Sequence, residues 1–328
     1  MNYIKKRAFA LMALVAACSL LLGACAAAPE ETEAEILSER EELLFATGSS
    51  AGTYYAYATA LSQVLGEAAG ESIRVRSTSG SADNIIQLAS GDMDIGLAQN
   101  DIVYYAVNGL ESFSGGAVEG VSAIATCYIE VCQIVAEGGV DSIEELEGLV
   151  VSVGESGSGV ETNARQILEA YGMDMGSISP VNLSFSASAK ALQDGEIDAF
   201  FCTAGAPTSA ISALVESFDV NLLEIDEAHA AVLAASYPFY TAYTIPAESY
   251  AGISYDVPSV AVKATLIVSN GLSEDRVYAL TKALFENAAA LSEAHPKGAE
   301  LSVRFALEGI AAPLHPGAAK YYNEVGAL

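Results

Sequence analysis

The 328-residue sequence predicts an α/β protein of two similar lobes, a clamshell with parallel-type sheets joined by hinge strands. Three observations predict it. Short β-type runs alternate with helical stretches from residue 43 onward, the pattern of parallel strands with crossover helices. That alternation is written twice in one register. Two β-type runs, at 121–136 and 257–269, are longer than one lobe needs.

The first pass reads as strand 42–47, a Gly/Ser loop, helix 54–69, strand 73–77, helix 82–90, strand 94–99 and the long strand 121–136. The second reads as strand 150–153, another Gly/Ser loop, helix 159–171, strand 181–185, helix 186–194 and strand 197–203. Gly48-Ser49-Ser50-Ala51-Gly52 answers to Gly154-Glu155-Ser156-Gly157-Ser158, 106 residues on. Ser79-Gly80-Ser81-Ala82 answers to Ser184-Phe185-Ser186-Ala187, 105 on, and the run ending Gly91-Asp92-Met93-Asp94 to Gly195-Glu196-Ile197-Asp198, 104 on. Such agreement implies duplicated units. Ser273 is a good N-cap for an amphipathic helix to about residue 294. Lobe one is therefore expected at 43–135 plus about 257–328, and lobe two at 136–256. The ligand cleft lies between them.

Composition narrows the function. Half of the chain is apolar, 52%, enough for two cores, and only 17% is charged, which excludes a disordered chain or a coiled coil. Residues 1–24 hold three of the 14 basic residues and none of the 42 acidic ones, so without them the net charge goes from −28 to −31. Nucleic acid and anionic membrane surfaces repel such a protein. An anionic ligand must be held by local dipoles and placed donors instead.

Lys5, Lys6 and Arg7, then an apolar run at 8–22, read as an export signal. It ends Leu22-Gly23-Ala24-Cys25, which resembles a bacterial lipobox and makes Cys25 the lipidation site. Residues 25–42, rich in Ala and Glu, are expected to be a flexible tether. The protein is thus expected outside the cytoplasm, held to the membrane by lipid only and monomeric. Cys127, Cys132 and Cys202 sit in apolar strand-like segments and read as buried free thiols. His229, His295 and His315 are scattered, read as surface residues and offer no metal spacing, so neither metal nor cofactor is expected.

Each Gly/Ser loop lies between a strand end and a helix start, where first-turn N–H groups are unpaired and the helix dipole is positive. Glycine admits close approach and hydroxyls add donors, so the pair of loops points to one bound anion. The candidate ligand-binding residues are Ser49, Gly52, Thr53, Tyr54, Ser79, Gln99, Ser156, Ser158, Gly159, Val160, Thr203 and Ala204. Of Tyr54 and Tyr55, one is expected in the cleft and one in the core. Asn100 and Asp101 are expected to cap a helix, and Arg165 to pair with Glu161 four residues before it. Arg74 and Arg76 alternate with Ile73 and Val75 and point the other way.

Ala46-Thr47-Gly48-Ser49-Ser50-Ala51-Gly52-Thr53-Tyr54-Tyr55 resembles the opening signature of the TAXI solute receptors of TRAP transporters. The run from Val153 to Arg165, Asp198-Ala199-Phe200-Phe201-Cys202-Thr203-Ala204-Gly205-Ala206-Pro207, and the closing stretch from Pro313 to Tyr322 are similar to the same family. The resemblance implies a periplasmic-binding-protein fold and delivery of ligand to TRAP permease subunits driven by an ion gradient. It implies a glutamate-like amino acid or dicarboxylate as ligand, and a pocket including Thr53, Tyr54, Ser156, Ser158, Gly159, Val160, Thr203 and Ala204. Ser50-Ala51, where many members have glycine, departs from the pattern. Two other readings fit parts of the chain. A ligand-sensing lipoprotein would use the same fold. A serine hydrolase would use Ser50 in the G-x-S-x-G frame of residues 48–52, but that elbow normally follows several strands, and here one precedes it.

Overall fold

The computed structural model describes residues 40–328. The signal, Cys25 and nearly all of the expected tether lie outside them. The expected tether end at residue 42 runs past the start of the fold. Arg40 donates to Asp94 Oδ2 at 2.9 Å, accepts from Arg276 on its carbonyl, and leads directly into a strand.

That strand, β1 (Glu42–Ala46), runs parallel to β2 (Ser72–Arg76) and β3 (Ile95–Gln99), with α1 (Thr53–Ala69) and α2 (Ser81–Ala89) as crossovers. A helix α3 (Asn100–Asn108) follows β3, and the chain then enters β4 (Val121–Glu137). The plan repeats as β5 (Val150–Ser152), α4 (Gly159–Ala170), β6 (Ser179–Val181), α5 (Phe185–Gln193) and β7 (Ala199–Ala204). There follow α6 (Ser209–Val215), β8 (Val220–Leu223), α7 (Glu227–Ser236), β9 (Thr241–Ile245) and β10 (Val257–Ser269). Helices α8 (Glu274–Glu286), α9 (Ala288–Ala294) and α10 (Pro316–Glu324) end the chain.

The sheet order is β2-β1-β3-β10-β4-β7-β5-β6, with β8 on β4 and β9 on β10. β4 and β10 are antiparallel from Ala261↔Val131 to Ser269↔Val121, and each changes its outer neighbour along its length. β10 pairs with β9 over Val257–Ala261 and with β3 over Ala264–Val268. β4 contributes Ile124 and Tyr128 to one core, and Ile134 and Ala136 to another. Its side chains are covered on both faces, which is why it reads as a nearly unbroken apolar run.

The sequence repeat has a structural cause. Asp94 Oδ2 accepts the Leu44 N–H of β1 at 2.7 Å, and Asp198 Oδ2 accepts the Val150 N–H of β5 at 2.7 Å. In each half, an aspartate ahead of the third strand fixes the start of the first. Gly80 and Ser184 are both N-caps, so the second landmark aligns 104 residues apart, one residue from the register read in the sequence.

Asn84 on α2, fully buried, clips the carboxyl ends of two strands together. Its Nδ2 donates to the carbonyls of Thr47 (2.6 Å) and Leu97 (2.7 Å), and its Oδ1 accepts from Thr78 (2.6 Å). We expect Asn84→Ala to cost about 2–3 kcal/mol, because two buried carbonyls lose their donor. The check is a urea melt, with a lowered midpoint and an unchanged slope.

Several local expectations shift. β6 is a three-residue strand ending at Val181, because Ser184 already accepts from Ala187 N as the cap of α5. The single helix expected after Ser273 breaks at Asn287, whose backbone leaves the helical region and whose side chain bonds the Ala283 carbonyl. His295 and His315 are not surface residues. Each precedes a proline that opens a helical turn and caps it, His295 Nδ1 accepting from Lys297 N and His315 Nδ1 from Gly317 N. His315 is buried, and that burial lowers its pKa. His229 is half-buried, stacked on Tyr171 and bonded to Asp226. Cys127, Cys132 and Cys202 are free and buried, and burial pushes all three thiols up.

Candidate functional site

The carboxyl ends of β1, β3, β5 and β7 converge on one cavity, whose lining comes from both halves of the chain. Local sequence puts helix starts there. Gly52, Gly80 and Gln99 are the N-caps of α1, α2 and α3 and give no side-chain cap; in α3 Asp101 Oδ1 accepts from Ile102 N instead, while the first-turn N–H groups of α1 and α2 have no side-chain acceptor among the described residues. Ser158 and Ser184 cap α4 and α5, accepting from Glu161 N (3.2 Å) and Ala187 N (3.4 Å). All five caps line the cavity.

Eleven of the twelve candidates line it: Ser49, Gly52, Thr53, Tyr54, Ser79, Gln99, Ser158, Gly159, Val160, Thr203 and Ala204. Ser156 does not. It is exposed on the outer side of its loop, and Gly157, at φ +76°, turns the chain so that Ser158 faces inward. The hydroxyls differ in what they have to offer. Thr53 donates to the Gly205 carbonyl at 3.0 Å, Thr203 to Cys132 Sγ at 3.5 Å and Tyr54 to Glu130 Oε2 at 2.7 Å. Ser49 Oγ and Gln99 Oε1 are buried without a hydrogen-bond partner among the described residues. Tyr55 is only half-buried; the aromatic ring of α1 that fills the core is Tyr57.

The two halves touch across the cavity. A Cβ at Gly159 would lie 2.1 Å from Gln99 Oε1, one at Gly52 would lie 3.2 Å from the Phe185 ring, and one at Gly80 3.5 Å from Ser158 Cβ. The cavity is correspondingly small, about 40 Å³ on a scale where one water needs roughly 10–15 Å³. Beside it, α3 and α4 are bonded together. Asn163 Nδ2 donates to Asp101 Oδ2 (3.0 Å) and to the Tyr240 hydroxyl (2.8 Å), Tyr240 donates to Gln166 Oε1 (2.7 Å), and Gln166 donates to the Tyr105 hydroxyl (3.0 Å). Asn100 and Asp101 are therefore spent on structure rather than ligand: Asn100 Oδ1 accepts from Lys263 N, and Asp101 Oδ1 accepts from Ile102 N in the first turn of α3, as expected of one of the two, although Gln99 holds the N-cap position. Arg165 turns away from Glu161 and bonds Glu111 (2.6 Å) and Glu169 (2.9 Å), while Glu161 Oε2 accepts from Gly157 N. Arg74 pairs with Glu42 on the outer edge of the sheet.

The residue that sequence reasoning missed is Glu130, in the middle of β4. It lines the cavity and is 1% exposed. Burial pushes its carboxyl up to about 8, and the Tyr54 hydrogen bond opposes that rise. A carboxyl in the interior of a mostly apolar strand was the signal, since a buried acid must be paired or neutral. Phe185, Leu183, Ser184, Ser81 and Glu155 also line the cavity. Ser50 is exposed and does not.

Residues 45–326 match the model of the NMT1-like family. The chain belongs to the NMT1-like family. Two solved structures carry the same two-lobed fold. One, from Bordetella bronchiseptica RB50, is 16% identical with a TM-score of 0.52, over 88% of this chain and 90% of that one. The other is a binding-protein component of an ABC phosphonate transporter from Pseudomonas aeruginosa, 12% identical with a TM-score of 0.50, over 79% of each chain. At these identities they speak for the fold alone. Among the described residues of this NMT1-like protein, no helix is long and apolar enough to cross a membrane.

Proposed function

We propose that this protein is an extracytoplasmic receptor that closes over a small organic anion and passes it to a membrane permease. One observation carries the reading: five helix N-caps, Gly52, Gly80, Gln99, Ser158 and Ser184, line a single small cavity. Each terminus carries roughly half a positive charge, and α1 and α2 have no side-chain acceptor on their first-turn N–H groups, so together they favour a carboxylate without any basic side chain. Ligand bridging the two halves stabilises the closed form by the difference in its affinity for closed and open states. β4 and β10, which run through both halves, are the hinge in this reading, with the lobes divided near residues 135 and 257.

The finer points follow from the sequence motifs. The TAXI-like runs around Gly48–Tyr55 and Val153–Arg165 support a glutamate-like amino acid or dicarboxylate as ligand, and a TRAP permease as recipient. Lipid on Cys25 is the anchor. The test is a thermal-shift screen of protein unfolded and refolded free of ligand, against amino acids, oxo acids and dicarboxylates. A binder at a hundredfold its Kd adds about 2.7 kcal/mol, a rise of several degrees. No rise with any of them would overturn the receptor reading. Uptake that survives ATP depletion but not an ionophore supports the TRAP partner, and uptake that needs ATP overturns it.

A further inference from the structure

The cavity is lined by two carboxyls, Glu130 and Glu155, and by no lysine, arginine or histidine among the described residues. A ligand of two carboxylates would therefore bring its second charge towards acid with no cation to meet it. Glu155 is half-buried beside Asp83, which raises its pKa together with burial, whereas Glu130 is at the floor on the strand shared by both halves. Its Oε2 is taken by the Tyr54 hydroxyl, and Oε1 has no hydrogen-bond partner among the described residues.

Resting on the receptor reading above, we propose that the ligand is a zwitterion: its carboxylate is held at the helix N-termini, and its ammonium is read by Glu130. The arrangement has the polarity such a ligand needs. The uncapped starts of α1 and α2 supply donors on one side, Gln99 Oε1 supplies an acceptor, Glu130 becomes a second acceptor when its proton leaves, and Val160, Leu183 and Phe185 add an apolar wall. A buried carboxyl with one hydrogen bond is a poor feature for stability, since the same volume of apolar side chain would pack without desolvating an acid. Its place in the cavity wall is explained if a cation completes it.

Binding should then be linked to protons. The groups around Glu130 are Tyr54 on α1, Asp101 on α3, Tyr128 on its own strand, the three buried thiols, and Lys297 on the turn Pro296–Glu300. Lys297 is the one cation among these groups; its charge lowers the Glu130 pKa against the larger effect of burial, but its ammonium is bonded to Glu300 at 2.7 Å rather than to Glu130. With its pKa near 8 in the empty site, Glu130 holds a proton at pH 7 and gives it up when the ammonium arrives.

The experiment uses the full chain and matched probes that differ only in the amine: L-glutamate with glutarate, L-glutamine with glutaramate, L-alanine with propionate and L-leucine with 4-methylpentanoate. Calorimetry at pH 7 is run in two buffers of different ionisation enthalpy, on wild type and on Glu130→Gln, which keeps the volume. We expect at least one amine-bearing member to bind wild type 50-fold or more tighter than its partner, with release of up to one proton per site. In Glu130→Gln the preference should shrink below about fivefold and the proton release vanish, while any binding of the partner acid changes little. Equal binding within pairs, or a preference that survives Glu130→Gln, overturns the ammonium reading and leaves the receptor reading standing. Binding of no probe, amine-bearing or not, overturns both. If Glu130→Gln does not fold, Tyr54→Phe serves, since it frees Glu130 Oε2 and must raise proton release or alter the preference if Glu130 is the reader.

Discussion

Gly159→Val should abolish ligand binding, lowering affinity by about a hundredfold or more for whichever probe binds wild type best. The residue is the first of α4, and the new side chain would occupy the space of the Gln99 amide, 2.1 Å from Oε1 and 2.5 Å from Cδ. Gln99 is 2% exposed, so it has little room to retreat without opening the cavity. Overpacking of this kind costs roughly 1–3 kcal/mol, and under the proposed closure it is the ligand-bound form that carries the cost. The unliganded melting midpoint should move little, because the backbone at residue 159 is ordinary helix. Rescue separates the clash from any other cause: Gln99→Ala in the Gly159→Val background should recover part of the affinity. Normal affinity in Gly159→Val would mean that the ligand binds elsewhere. Gly52→Val is expected to be milder, since its Cβ meets the Phe185 ring at 3.2 Å, a contact a ring can yield by tilting.

Stability should fall as pH rises from about 5 to about 8, the reverse of ordinary acid denaturation. Burial pushes Glu130 up to about 8 and Asp101 up to about 7, while the unfolded chain releases these protons near pH 4. A carboxyl with a raised folded pKa holds its proton in the folded state and not in the unfolded one across that window. Folded protein therefore binds more protons, and unfolding is favoured as pH increases. Each group contributes at most about 1.4 kcal/mol per pH unit within its window. The slope belongs to these two residues if the double variant Asp101→Asn, Glu130→Gln flattens it. Asp94 and Glu155, both raised by burial, add to the same fall, and Asp226, lowered by His229, opposes it, but all three are present in both proteins, so the difference in slope between them belongs to Asp101 and Glu130. An equally steep fall in the double variant would show that both groups are ionised at neutral pH.

The same chemistry explains what was legible in the sequence. The doubled order of strands and helices was readable because each half needs the same parts: a Gly/Ser loop opening the first helix, and an aspartate, Asp94 or Asp198, holding the first strand. Eleven candidate residues met in one cavity because strand-end loops in parallel sheets share an edge. Ser156 failed because loop composition says nothing about which serine faces inward; a single glycine dihedral decides it. Glu130 stayed hidden inside an apolar run, since its role depends on Tyr54, 76 residues away in sequence. The histidines misled for the opposite reason: a polar residue before proline looks exposed, and their capping of the turns after them is visible only in three dimensions.

The position of β10 has a consequence for how the chain acquires its shape. It lies between β3 and β4, yet it arrives after residue 256, so the first five-stranded half has a gap between β3 and β4 until nearly four-fifths of the polypeptide exists. Early segments cannot settle by themselves, and the contacts that seal them are remote in sequence, which slows assembly.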